Sequence, residues 1–395
     1  MMLSLSKLAV VLVALLASGL CLAQTPLQSA VGGAEIRIVT TDMAVLSAGD
    51  VRDDLPCSVT PLDPRLGFDL QYQAGYVVNI PLASLAGEGD SLRVLFRIRA
   101  LGVDDQPRYF VDRFSVPHVE EGANGETALS GQYTLGPGRY RVDWLMRDRS
   151  ERVCSAHWEV QTSTTEEFEE LAATPMANAI GGRRDDVFLE EPPVQRAAVQ
   201  SLLHVKLIVN FTPTDPRDVQ LRPYDVENIV SILRAISREP QIGTFSLVSF
   251  NMQEERVIFE QENVTRIDFP ELGNSVGSIE GGKIDIRQLR DEESGTRFLA
   301  DLLQRHLAPG DPEADAIIFV GPKLVLEKKI SGELLVNSAV TSPVFYLIYD
   351  RNPRAFPWRD AISSILRPFR SLEYSITLPR DFGLAMKDMM FRLKK

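Results

Sequence analysis

Residues 203–214 read Leu203-His204-Val205-Lys206-Leu207-Ile208-Val209-Asn210-Phe211-Thr212-Pro213-Thr214. An apolar run of this length, closed by Asn, Thr and Pro, predicts a buried strand that ends in a loop. The period then changes. Val226, Ile229, Val230, Leu233 and Ile236 fall at i, i+3, i+4, i+7 and i+10 on one helical face, with Pro223 near the start and Pro240 just beyond the end. Strands and helices alternate from there to the C-terminus. Phe245–Phe250, Arg256–Glu260, Ala316–Val320, Val344–Tyr349 and Leu372–Leu378 read as strands. Helical stripes are formed by Phe298, Leu302, Leu303 and Leu307, by Trp358, Ile362, Ile365, Leu366 and Phe369, and by Phe382, Met386, Met389, Met390 and Leu393. Apolar strands separated by amphipathic helices predict an α/β domain with a mainly parallel sheet over residues 203–395.

Upstream, residues 24–160 read as all-β. Ile36–Thr40, Tyr76–Ile80, Leu92–Ala100, Arg108–Val116, Gly138–Arg147 and Arg152–Val160 are β-branched and aromatic runs between Gly, Pro and Asp clusters. In one run Tyr140, Val142, Trp144 and Met146 alternate with Arg139, Arg141, Asp143 and Arg147, so one face is buried; Leu145 breaks the charged face. An Ig-like or C2-like β-sandwich is the class expected. Between the halves, residues 161–202 carry few apolar residues and many breakers, which predicts a linker with one short helix at Glu166–Leu171.

The N-terminus has the pattern of a signal peptide over residues 1–23. Lys7 precedes the apolar run Leu8–Ala17, and Cys21-Leu22-Ala23 offers small residues where a peptidase cuts. A run of about 10 apolar residues falls short of the roughly 20 needed to cross a bilayer, and Leu20 argues against a lipid anchor on Cys21. The expectation is an exported chain, periplasmic or secreted, with no transmembrane segment after cleavage. Its formal charge, −12 before cleavage, does not suit nucleic acid, whose phosphates need clustered Lys and Arg. Of three cysteines only Cys57 and Cys154 then remain, and in an oxidising compartment one disulfide between them is expected.

The order of elements in the second half resembles the von Willebrand factor A fold. The exit Asn210-Phe211-Thr212-Pro213-Thr214 lies where that family carries an Asp-x-Ser-x-Ser metal motif, and Gly295-Thr296-Arg297 resembles its Gly-Thr loop. There is a looser likeness, over both halves, to uncharacterised bacterial exported proteins related to von Willebrand factor A. The resemblance implies a Mg²⁺ site at the carboxyl ends of the strands, built from Asn210, Thr212, Thr214 and Thr296. Asn210 stands in place of the first Asp and Gly321-Pro322 in place of the second, so both anionic ligands are missing. Mg²⁺ is normally held through one or two carboxylates, and no metal or other cofactor is expected here.

Catalytic constellations are not assembled by the sequence. His118, His157, His204 and His306 are scattered, no Gly-x-Ser-x-Gly elbow occurs, and Gly277-Ser278-Ile279-Glu280-Gly281-Gly282 lacks the Lys-Ser/Thr ending of a phosphate loop. The leading expectation is a non-enzymatic protein that binds another protein through the α/β loops, with Arg222, Arg297 and Lys323 as candidate partner contacts. A weak metal-dependent adhesion module and, more distantly, a carboxylate-based hydrolase are the alternatives.

Overall fold

The computed structural model describes residues 25–26, 40–87, 90–103, 106–162, 178–182, 186–199, 201–215, 217–279, 294–307, 313–326, 340–353 and 360–393. The expected signal peptide, the helix at Glu166–Leu171 and the Trp358 position of a helical stripe lie outside these residues. The chain divides into two compact units, Met1–Arg65 with Gln71–Asp185, and Leu66–Leu70 with Asp186–Lys395.

The first unit contains two antiparallel sheets. One has the order β1-β5-β4-β7-β8, from β1 (Thr25–Pro26), β4 (Asp90–Ala100), β5 (Arg108–Val116), β7 (Arg139–Arg147) and β8 (Val153–Gln161). The other has the order β2-β3-β6-β9, from β2 (Ser58–Leu66), β3 (Tyr72–Pro81), β6 (Glu126–Leu135) and β9 (Ile180–Gly182). Alternation sends Tyr76, Phe96, Phe110, Tyr133 and Trp144 between the sheets, where all five are buried. Tyr76 meets Trp144 edge-on at 5.4 Å, and Phe96 stacks on Phe110 at 5.2 Å. Such ring pairs add roughly 0.5–1.5 kcal/mol each beyond burial. Gly131 is needed on β6, because a Cβ there would sit 2.3 Å from the Tyr76 hydroxyl.

Where a strand was expected to end at Thr40, a helix begins: α1 (Thr40–Ala48) lies on the outer face of the five-stranded sheet. This explains the apolar residue on the charged face. Leu145 packs with Leu95, Val111 and Val153 under Leu46 of α1. The Cys57–Cys154 disulfide is present, with Cα atoms 6.3 Å apart, and ties β8 to the segment entering β2.

The second unit is built on a six-stranded sheet of order β12-β11-β10-β13-β14-β15. Its strands are β10 (Leu203–Asn210), β11 (Ile242–Asn251), β12 (Arg256–Val264), β13 (Ala316–Gly321), β14 (Val344–Tyr349) and β15 (Leu372–Ile376). All neighbours run parallel except β11 and β12. Its helices are α2 (Pro223–Ser237), α3 (Phe269–Gly277), α4 (Ser294–Leu307), α5 (Ala361–Leu366) and α6 (Pro379–Leu393). Alternate residues of each central strand enter different layers. Val205, Leu207, Val209, Ile318, Val320, Phe345 and Leu347 pack with α2, α3 and α6, whereas Ile208, Ile317, Phe319, Tyr346 and Ile348 pack with α4 and α5.

The expected linker, 161–202, is in its described parts bound into the two units. Residues 180–182 are β9, paired to Tyr133–Leu135. Past Asp186, the Val187 and Leu189 carbonyls accept from Arg234 Nη1 at 2.6 and 2.7 Å, and Phe188 packs under Gly273. Glu191 is buried against Arg238 Nε (2.6 Å) and Arg234 Nη2 (2.7 Å). Low hydropathy concealed this docking because it is polar. Arg234 of α2 and Arg238, just past its end, satisfy the carbonyls and the carboxylate of the passing chain.

Candidate functional site

The carboxyl ends of β10, β13 and β14 lie side by side, where ligands of open parallel sheets bind. At this edge β10 ends in a closed set of hydrogen bonds. The Asn210 side chain, 1% exposed, donates through Nδ2 to Pro322 O at 3.1 Å and accepts through Oδ1 from Thr212 N–H at 2.9 Å. Thr212 Oγ1 accepts from Met252 N–H at 2.8 Å, and Asn251 Nδ2 donates to Phe211 O at 3.0 Å. Gly321 has φ 144°, and a Cβ there would lie 2.5 Å from Asn210 O. Only glycine allows the exits of β10 and β13 to come this close.

Of the motif positions, Asn210 and Thr212 are therefore buried and joined within one network. Thr214 and Thr296 are half-buried, Thr214 in the loop beyond β10 and Thr296 in the first turn of α4. Gly295, next to Thr296, has its Cβ direction 3.5 Å from the Met252 methyl, so α4 starts beside the residue whose N–H is bonded to Thr212. These residues do not fit a divalent ion: the Asn210 and Thr212 side-chain oxygens already accept from backbone N–H groups, and Gly321 and Pro322 bring no carboxylate. Among the described residues no group of three or more His, Cys, Asp or Glu is placed to hold a metal.

Charge at this edge is arranged in pairs. Lys323 Nζ lies 2.7 Å from Asp350 Oδ2 at the end of β14. The Tyr349 hydroxyl donates to Asp225 Oδ1 at 2.7 Å and accepts from Asn228 Nδ2 at 2.8 Å. Burial first, and the Asp225 hydrogen bond and charge with it, push its pKa above the ordinary tyrosine value. Asp215 accepts from Arg217 N–H at 3.0 Å, a turn contact, and Asp360 caps α5 through Ser363 N–H while also accepting from Leu324 N–H.

Arg222 precedes α2 and is exposed; its Nη1 donates to the Tyr224 hydroxyl at 3.2 Å. Arg351 lies over the Tyr224 ring at 5.0 Å. The exposed Tyr224 is thus flanked by two guanidinium groups, a grouping absent from the sequence reading, which had only Arg222. Arg297 is exposed on α4. Tyr349, Asp350 and Arg351 carried one usable signal: they stand at the end of an apolar parallel strand and in the two positions after it. Tyr224 had none, since its pairing with Arg351 spans much of the domain sequence.

Histidine does not build a base here. His204 opens β10, six residues and about 20 Å along the strand from Asn210. Its ring lies between Thr244 Oγ1 (2.7 Å) and Ser246 Oγ (3.2 Å). His306 is buried in the last turn of α4, while His118 and His157 are exposed in the first unit.

Among the described residues no helix is long and apolar enough to cross a membrane. No family model matches the chain, and no curated protein does. Among solved structures, a structural-genomics target is 13% identical over 29% of this chain and 90% of its own, with a TM-score of 0.19. A β-glucosidase from Listeria innocua is 9% identical over 27% of this chain and 16% of its own, with a TM-score of 0.18. A β-glucuronidase from Bacteroides uniformis is 12% identical over 79% of this chain and 38% of its own, with a TM-score of 0.17. Likeness at this level carries no argument about the fold or the chemistry of this chain.

Proposed function

We propose that this chain is an exported, non-enzymatic interaction protein whose second unit is a von Willebrand factor A-like domain that binds another protein without a metal. The reading is carried by one observation: Asn210, which the resemblance implies as a metal-motif position, is engaged instead in a protein hydrogen bond, donating to Pro322 O at 3.1 Å. The strand order, with only the β12 edge antiparallel, supports the resemblance. Export is supported by the N-terminal apolar run and by the Cys57–Cys154 bond, since disulfides persist mainly outside reducing compartments. Tyr224 between Arg222 and Arg351 is the contact surface favoured, because Tyr and Arg carry a disproportionate share of protein-binding energy.

Two measurements on the full chain test this. Calorimetric titration with Mg²⁺ and Mn²⁺ should give no saturable heat at millimolar concentration. Capture of a partner from an envelope extract should be unchanged by chelator and reduced several-fold in Tyr224→Ala. Metal binding that disappears in Thr212→Ala, together with capture abolished by chelator, overturns the proposal in favour of a metal-dependent adhesion module.

A further inference from the structure

The outer face of the five-stranded sheet is laid out by alternation on β4 and β7. In register across that face stand Arg93 opposite Arg147, Leu95 opposite Leu145, Arg97 opposite Asp143, and Arg99 opposite Arg141. Two of these four pairs place like charges directly opposite each other, an arrangement that destabilises a sheet unless an anion joins them. At the first pair the chain supplies the anion. Asp42 of α1, with no exposed surface, accepts from Arg93 Nη2 at 2.6 Å and from Arg147 Nε at 2.7 Å. Leu46, one turn further along α1, covers Leu95 and Leu145.

The second pair has the same geometry without such a group. The carboxylate that Arg99 and Arg141 share is Asp143, which also holds Arg97. It accepts from Arg97 Nε and Nη2 at 3.1 and 2.9 Å, from Arg141 Nε at 2.9 Å, and from Arg99 Nη2 at 3.4 Å. Three guanidinium groups on one carboxylate leave two positive charges in surplus, in a chain whose net charge is −12. The Arg99 and Arg141 side chains are 43% and 32% exposed, and among the described residues Arg99 Nε is buried with no hydrogen-bond partner. Glu159 of β8 stands opposite Arg141 in register and lies 3.8 Å from exposed Arg139 on the same face, so Asp143 and Glu159 together still leave two positive charges over on Arg97, Arg99, Arg139 and Arg141. The α1 helix ends short of this point: its Leu46 carbonyl is bonded to Arg97, and the Cβ direction of Gly49 is 3.8 Å from Arg141 Nη2.

We infer that Arg99 and Arg141 form a carboxylate-binding site on the outer sheet face, which seats an acidic side chain of a partner polypeptide as Asp42 is seated between Arg93 and Arg147. Asp42 supplies the reason for choosing a carboxylate carried by a polypeptide. The same sheet, at the same kind of opposed arginine pair, holds an aspartate presented by a helix. Guanidinium forks match carboxylate oxygens in pairs, and those hydrogen bonds are stronger than neutral ones.

The test is a titration of the full chain with fluorescently labelled hexaglutamate, followed by anisotropy, with inorganic phosphate and oligogalacturonate as competitors. Saturable binding is expected, about tenfold or more weaker in the Arg99→Gln, Arg141→Gln double variant. It should be unchanged in Arg113→Gln, which alters an exposed arginine opposite Arg93 on the same face. Arg99→Gln alone keeps the Asp143 contacts of Arg97 and Arg141 and gives the same direction of change if the double variant does not fold. No binding by the wild-type chain, or equal binding by all variants, overturns the site. Displacement by phosphate or oligogalacturonate as effective as by unlabelled hexaglutamate overturns its assignment to an acidic polypeptide.

Discussion

Asp42 Oδ1 accepts a hydrogen bond from Arg147 Nε at 2.7 Å, between residues 105 positions apart in the chain. Both side chains are buried, and Arg93 completes the pair of cations around the carboxylate. Removing the negative charge leaves Arg93 and Arg147 facing each other, with only the exposed Glu151, 2.6 Å from Arg147 Nη1, to offset them. Asp42→Asn should therefore destabilise the first unit by about 3–5 kcal/mol. Urea denaturation followed by Trp fluorescence, with Trp144 buried in that unit, measures the change. A loss under 1 kcal/mol would show that α1 docks through Leu46 rather than through charge.

The disulfide makes a second prediction. Cys57→Ala with Cys154→Ala opens a loop of 97 residues and should cost the first unit about 2–5 kcal/mol. The cooperative transition of the second unit should be unchanged in the same calorimetric scan. Non-reducing peptide mapping of natively produced protein checks the bond itself.

Glu191 is the next position to test. Its carboxylate is shared by buried Arg234 and Arg238, so Glu191→Gln should cost about 3–5 kcal/mol. The segment 186–199 should then be cleaved much faster by trypsin at Arg196, whose guanidinium otherwise donates to the Ser237 and Glu239 carbonyls. Cleavage at the wild-type rate would mean that Phe188 and the Arg234 bonds to Val187 and Leu189 hold the segment unaided.

His306 sets a pH dependence. Burial first, then the charges of Lys206 and Arg305, pull its pKa from 6.5 down to about 4, with Glu260 3.9 Å away on the ring. The unfolded chain takes up a proton near pH 6.5 that the folded chain refuses until about pH 4. The stabilising contribution is therefore complete above pH 6.5 and is lost as pH falls toward 4, on the order of 3 kcal/mol in all. His204, whose pKa is also lowered by burial, acts in the same direction. Unfolding free energies measured from pH 7 to 4 should fall, with a shallower slope in His306→Gln. An unchanged slope would remove His306 from this account.

Apart from α3, a nine-residue helix whose only buried residues are Phe269 and Leu272, the strands and helices of the second unit were legible because each carries its period on a single segment. Val344–Tyr349 is six consecutive buried residues, and Phe382, Met386 and Met389 mark one helix face whatever lies opposite. Elements stabilised by contacts with distant residues were not. Ser58–Leu66 contains Pro61 and Pro64, which argue against a strand; β2 is an edge strand, where missing N–H donors are tolerated. Glu126–Leu135 pairs along its whole length with β3, yet offers mostly small and polar residues to a reader of hydropathy. At the candidate site the sequence indicated which residues stand at the exit of β10. It could not show that Asn210 would bond to Pro322, or that Tyr224 would meet Arg351.

By itself, then, the sequence determined the two-part character of the chain, the succession of apolar strands and amphipathic helices after residue 203, and the buried face of β7. All of these are properties of neighbouring residues under a local period. Tertiary structure alone decided where charge is neutralised and where it is left over. The energy of a guanidinium or carboxylate depends on which opposite charge is brought within a few ångströms and how far water is excluded. Asp42 reaches Arg147 across 105 residues and Glu191 reaches Arg238 across 47, while Arg99 and Arg141 share a carboxylate already held by Arg97. No window of sequence contains those distances; the register of β4 on β7 and the docking of α1 create them.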